Sequence, residues 1–180
     1  MKFIRNFILM AFAVAMLSFV TVNAQTNVDS MSALEKKIRK EILMLPNYGL
    51  FDHIAFKVDD GTVTLYGKTA SLGTMKGAER VVKRIPGVIE VVNNIDELPL
   101  SSFDNQIRRA VVGEFVRSGG VYPYISGVNP SVRIIVENGR VTLEGYVSNK
   151  GTSNLMYMLA NRVPGTFGVT NNLVIAKSDA

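Results

Sequence analysis

Residues 61–67 read GTVTLYG, and residues 139–145 read GRVTLEG. Displaced by 78 positions, the second half of the chain lies over the first without a gap from about residue 54 to residue 97. Val63, Thr64 and Leu65 fall on Val141, Thr142 and Leu143, and Gly67 falls on Gly145. Arg84, Pro86 and Gly87 fall on Arg162, Pro164 and Gly165, and Val91, Asn93 and Asn94 on Val169, Asn171 and Asn172. A gapless run of this length means two copies of one unit. Two copies are too few for a solenoid, so each must close a core of its own. Upstream the displacement is 69, with Leu34, Ile38 and Ile42 matching Phe103, Ile107 and Val111. The second copy therefore carries nine extra residues, around SGGVYPYISG at 118–127.

Within a copy the order of elements follows from periodicity. Leu34, Ile38, Ile42 and Leu45 step by four, four and three, which puts them on one face of a helix. Glu35, Lys36, Lys37, Arg39 and Lys40 fill the other face, with Glu35 and Arg39 spaced for an ion pair. Ser30 or Ser32 can cap this helix; Asp104, Ser101 or Ser102 can do so in the second copy. Asp60-Gly61 and Asn138-Gly139 then suit a two-residue hairpin turn, in which both positions need positive φ. Such a turn sets Val58 opposite Val63, Phe56 opposite Leu65 and Ile54 opposite Gly67. In the second copy it sets Val136 opposite Val141, Ile134 opposite Leu143 and Val132 opposite Gly145. The alternate positions (Lys57, Thr62, Thr64, and Arg133, Arg140, Thr142, Glu144) are polar and predict a wet outer face. A second helix, started by Ser71 or Thr74 in the first copy, turns Ala78, Val81, Val82 and Ile85 inward, or Met156, Leu159, Ala160 and Val163 in the second. Pro-Gly ends it both times. Last strands are expected over 88–95 and 166–175. The fold class is α+β: two tandem αββαβ domains, each a three-stranded mixed sheet covered on one face by two helices. Leu98-Pro99-Leu100 is a short, stiff linker that keeps the units close.

The first 24 residues read as a cleaved secretory signal: Lys2 and Arg5, an apolar run from Phe7 to Val20, then Val22-Asn23-Ala24. A retained anchor is the other reading, although the run is short against the roughly 20 residues of a membrane span. Domains are expected at 30–98 and 102–177. The chain has no cysteine, hence no disulfide, thiolate metal site or lipidated cysteine. Without the leader's two bases, 18 basic residues face 15 acidic ones, too mild an excess to argue for nucleic acid.

The pattern Gly-x-Val-Thr-Leu-x-Gly, a helix of about a dozen residues, then Pro-Gly-Val-x-x-Val-x-Asn-x-Ile/Leu resembles the BON domain, named for bacterial osmotically induced and nodulation proteins. It occurs at 61–67 with 86–95 and at 139–145 with 164–173, Thr166 standing where the family favours Val. A leader followed by two such units is similar to the periplasmic osmotically induced and outer-membrane-integrity members. The resemblance implies a non-enzymatic, periplasmic protein that needs no cofactor and associates with anionic phospholipid headgroups or envelope proteins, in osmotic or envelope stress. The missing cysteine argues against the lipid anchor that some relatives carry.

Lys76, Arg80, Lys83 and Arg84 line one helix and can pair with lipid phosphates, or form a solvated face. Arg117, Tyr122 and Tyr124 in the insertion suit a headgroup interface, or close the edge of the core. Arg108 and Arg109 read as exposed solubilising charge. Tyr157 and Met158 replace the first copy's Glu79 and Arg80 and predict a surface covered by the first copy or by a membrane, with the first copy as the expected cover. His53 is the single histidine and reads as structural. Asn93-Asn94 and Asn171-Asn172 read as hydrogen-bonding residues at a strand end. No nucleophile-elbow pattern occurs. The alternative function is a periplasmic protein-interaction or chaperone-like module without direct lipid binding, using Tyr157, Met158 and an open sheet face.

Overall fold

The computed structural model describes residues 32–176; the expected signal segment lies outside them. The first unit comprises α1 (Ala33–Leu43), β1 (His53–Asp59), β2 (Thr62–Thr69), α2 (Leu72–Lys83) and β3 (Glu90–Glu97). The second comprises α3 (Ser102–Ser118), the short α4 (Tyr122–Ile125), β4 (Val132–Glu137), β5 (Arg140–Val147), α5 (Lys150–Asn161) and β6 (Gly168–Ile175). Each forms one three-stranded mixed sheet, ordered β1-β2-β3 or β4-β5-β6. The hairpins are antiparallel, and β3 and β6 run parallel to the middle strand.

The turns determine the register as expected. Asp60 and Gly61 have φ of 45° and 82°, and Asn138 and Gly139 have 50° and 73°. Phe56 faces Leu65 and Ile134 faces Leu143. The last strands begin two residues later than expected, because Val88 and Thr166 are still turning: their N–H groups donate to the carbonyls of Ile85 and Val163. Ser32, Ser71 and Ser101 are the N-caps of α1, α2 and α3. Glu35 completes a capping box with Ser32 instead of pairing with Arg39. Asp104 caps nothing; its carboxylate is buried beneath the second hairpin turn.

Two cores result. Ile38, Ile42, Leu65, Ala78 and Val82 centre the first, and Ile107, Phe115, Ile134, Leu143 and Met156 the second. The insertion enlarges the second core. It lengthens α3 by more than a turn over its counterpart, and Val121 and Ile125 of the α4 segment are buried. Each such side chain contributes about 1.5–3 kcal/mol. These aliphatics close the core edge; Tyr122 stays exposed and Tyr124 half-buried.

The wet outer face expected for the second sheet is corrected at β4. Arg133 and Ile135 are each only 5% exposed, because the connection between α1 and β1 covers them. Leu50 and Phe51 pack on the second core. The Ile134 N–H donates to the Leu50 carbonyl at 2.8 Å. Arg133 donates to the Gly49 carbonyl at 2.6 Å, its guanidinium 4.4 Å from the centre of the Tyr48 ring. Lys68 reaches Glu137 at 2.8 Å, and the Arg39 guanidinium lies 5.7 Å from the Tyr146 ring. The domain contact thus uses β4 and β5. Tyr157 and Met158, expected to be covered by the first unit, remain exposed on α5.

Candidate functional site

α1 and α2 pack side by side on one face of the first sheet, burying Ile38, Ile42, Ala78 and Val82. Their outward positions carry Lys36, Lys37, Arg39, Lys40, Lys76, Arg80, Lys83 and the C-cap Arg84, all exposed. Only Glu35, Glu41 and Glu79 oppose them, so this layer carries eight bases and three acids, a net +5. The sheet side is reversed in sign. β1, its turn, β2 and β3 hold Lys57 and Lys68 against Asp59, Asp60, Glu90, Asp96 and Glu97, a net −3. The first unit is an electrical dipole with its positive end on the helices.

The stripe of Lys76, Arg80, Lys83 and Arg84 expected on α2 is present, with Lys83 held by Glu79 at 3.2 Å. Glu79 also accepts from the Asn93 side chain. That bond, with Lys83 second, holds its carboxyl below the ordinary range. Asn93 is mid-strand, not at a strand end, and ties β3 to α2 as Asn171 ties β6 to Ser153 of α5. The contribution of α1 was missed as a site. Its signal was available, since two helices on one side of a sheet present their outward faces together. Beside α1 runs an open groove of about 400 Å³ lined by Lys36, Arg39, Lys40, Leu43, Met44 and Asn129.

The insertion's charged and aromatic residues are not gathered into one cluster. Arg117 is paired with Glu114 on its own helix. The Tyr124 hydroxyl shares a 2.6 Å hydrogen bond with Ser148, which lowers its pKa. Tyr122 is free at the surface. Arg108, read as exposed, is buried and donates to the Val136 carbonyl at 2.6 Å, while Arg109 is exposed. Among the described residues, no group of three or more His, Asp or Glu converges as a metal site, and no helix is long and apolar enough to cross a membrane.

A helix layer over a one-sided mixed sheet, built twice from one sequence pattern, is the geometry that known domains must match. The sequence profile of the BON domain matches residues 30–99 and again residues 103–177. The chain belongs to the BON domain family. A relative from Anaplasma centrale, described as an uncharacterized protein in the gshII 5' region, is 31% identical over 140 residues, covering 74% of this chain and 87% of its own length. Two solved chains of CdsD, a structural protein of the type III secretion system of Chlamydia trachomatis, align at 15% identity. The C-terminal domain covers 82% of this chain and 99% of its own length with a TM-score of 0.34; the other covers 80% and 92% with 0.32.

Both BON units also display a large apolar side chain at one equivalent position, Ile89 and Phe167, beside the hairpin turn. Phe167 stacks at 5.9 Å on Phe103. The sequence signal was the repeat itself, which places residue 89 on residue 167.

His53 sits between the BON units, its Nε2 4.0 Å from Glu144. Burial lowers its pKa from 6.5; Glu144 opposes the shift and Arg133 adds to it. A base whose folded pKa is depressed destabilises the fold when it must take up a proton. The contribution is therefore absent well above pH 6.5 and grows as pH falls through that value. Because His53 is the only histidine, the midpoint of urea unfolding should fall between pH 7.5 and 5.5, and His53→Gln should flatten that part of the profile. An unchanged slope in His53→Gln would refute the assignment.

Proposed function

We propose that this chain is a non-enzymatic, exported protein of the cell envelope, periplasmic and not lipidated, that lays the helical layer of its first BON domain on anionic phospholipid surfaces under osmotic or envelope stress. The observation that carries this reading is the opposition of a +5 helix layer to a −3 sheet side in one domain. Such a dipole orients as well as attracts, turning the helices toward negative charge and the sheet away from it. Each Lys or Arg near an anionic leaflet contributes about 1 kcal/mol, weakened by salt.

Co-sedimentation of the mature protein with phosphatidylglycerol vesicles tests it, with phosphatidylcholine vesicles as control. Binding should be confined to the anionic vesicles and fall with salt. Neutralising three exposed bases, Lys76→Gln, Arg80→Gln and Arg84→Gln together, should weaken it on the order of 100-fold. Absence of binding at low salt would overturn the reading. Tyr157 and Met158, exposed on α5, favour the second reading, a protein-interaction or chaperone-like module. Lipid-independent suppression of client aggregation, together with failure to bind vesicles, would select it.

A further inference from the structure

The two BON units leave different faces free. The outer face of the second sheet lies under residues 48–53 and Arg39, whereas that of the first sheet is open. Across its three strands Asp59, Thr62 and Glu90 form the row at the hairpin turn. Val92 and Tyr66 lie behind that row on the same face, both exposed, on the side of the domain that carries a net −3. The helix layers differ as well. α3 and α5 pack side by side over the second sheet. On α3, Arg109, Gly113 and Val116 step by four and three along the line opposite the buried Ile107, Val111 and Phe115. On α5, Met158 stands opposite the buried Met156 and Ala160, with Tyr157 beside it. Val116 is 49% exposed and Met158 53%; the first copy has Arg80 at the position of Met158. Apart from the buried Asp104 and Arg108, this layer holds Arg109, Arg117, Lys150 and Arg162 against Glu114, a net +3. Among the described residues, Arg109, Lys150 and Arg162 have no ion-pair partner. An apolar centre inside a charged rim is the make-up of a protein–protein contact, and here the two rims are of opposite sign.

We propose that the helix layer of the second domain docks on the open sheet face of the first domain in another copy of this chain, head to tail. Within one chain both faces are exposed, so they do not cover each other. In the docked pair Val116, Tyr157 and Met158 cover Val92 and Tyr66, where the burial of apolar surface is favourable. Arg109 and Arg162 stand toward Asp59 and Glu90. Pairing either face with its own kind sets like charge against like and is disfavoured. Because the matching faces lie on different domains, each docking leaves one of each free. Association therefore continues past the dimer, to a ring or a filament. The proposal rests on the protein-interaction reading, to which it gives a partner, and not on the lipid-surface reading.

Light scattering and sedimentation velocity of the mature protein, over a concentration series at low and at high salt, test the contact. The expected result is a mass that rises past the dimer with concentration and falls with salt. Met158→Ser should weaken association about 10-fold. Arg109→Glu with Arg162→Glu, and separately Asp59→Lys with Glu90→Lys, should each weaken it about 10-fold or more. Mixing these two double variants should restore it, because the reversed helix layer of one then meets the reversed sheet rim of the other. All of these side chains are exposed, and circular dichroism should show each variant folded. A monomer throughout, a mass that stops at the dimer, or double variants that the mixture does not restore would each overturn the proposal. Suppression of client aggregation by a protein that stays monomeric would overturn it too, and leave the protein-interaction reading standing.

Discussion

Gly145→Ala is expected to lower the stability of the second BON domain by about 3–4 kcal/mol, read as a shift in urea unfolding followed by circular dichroism. Gly145 has a φ of 116°, where a Cβ is strained in any surroundings. Here the surroundings are also closed. A Cβ would stand 2.0 Å from the Ser131 carbonyl oxygen and 3.2 Å from the Val132 Cα, both backbone atoms that cannot step aside. The Ser131 oxygen is held there because it accepts from the Tyr146 N–H at 2.9 Å. Gly67 meets the same obstacle at 2.1 Å from the His53 oxygen, so Gly67→Ala should damage the first domain similarly. Gly113→Ala is the control. Gly113 lies within α3, where a Cβ meets only the flexible end of Arg117 at 3.4 Å. That variant should be neutral or stabilising by about 0.5–1 kcal/mol. A loss below about 1 kcal/mol at Gly145 would mean that the strand opening gives way, and the close approach would not be the reason for the motif's last glycine.

What could be read in advance follows the range of the forces involved. Asp60-Gly61 and Asn138-Gly139 determine their turns by local sterics, so the register of both hairpins was legible from two dipeptides. Gly67 and Gly145 were visible as a repeat, but the carbonyls that exclude a side chain belong to residues fourteen positions away. Arg133 was misplaced because alternation describes a sheet by itself, and its outer face is covered by residues 48–53. A trace of this was available: VRIIV at 132–136 is nearly continuous in apolar character, the mark of a strand buried on both faces. The α2 stripe was legible from helical spacing. The groove was not, because its far wall, Asn129, comes from a loop of the other domain and no periodicity links it to α1.

Asp104→Ala should cost the second domain about 3–5 kcal/mol. Asp104 is 1% exposed, and its two oxygens accept from the N–H groups of Asn138 and Gly139 at 3.0 and 2.8 Å. One turn later Arg108, also buried, donates to the Val136 carbonyl and to the Asn105 side chain at 2.6 Å each. Helix α3 therefore grips the hairpin turn from beneath with a carboxylate and a guanidinium. Burial pushes the Arg108 pKa down, and Asp104 and then Asp52 oppose that shift, so deleting the Asp104 carboxylate leaves a buried cation without the larger of its two counter-charges as well as two unpaired N–H groups. Adding Arg108→Met to Asp104→Ala removes the first penalty but not the second, and should recover about 1 kcal/mol or more. Strict additivity of the two substitutions would refute the coupling. The first domain has the same acid and base one turn apart, Glu35 and Arg39, in different roles. Glu35 closes the capping box on Ser32 at 2.6 Å and Arg39 reaches Tyr146 across the domain contact. Glu35→Ala should then cost only about 1 kcal/mol. The duplicated pair thus clamps a turn in one copy, while in the other it caps a helix and leaves a cation beside the groove.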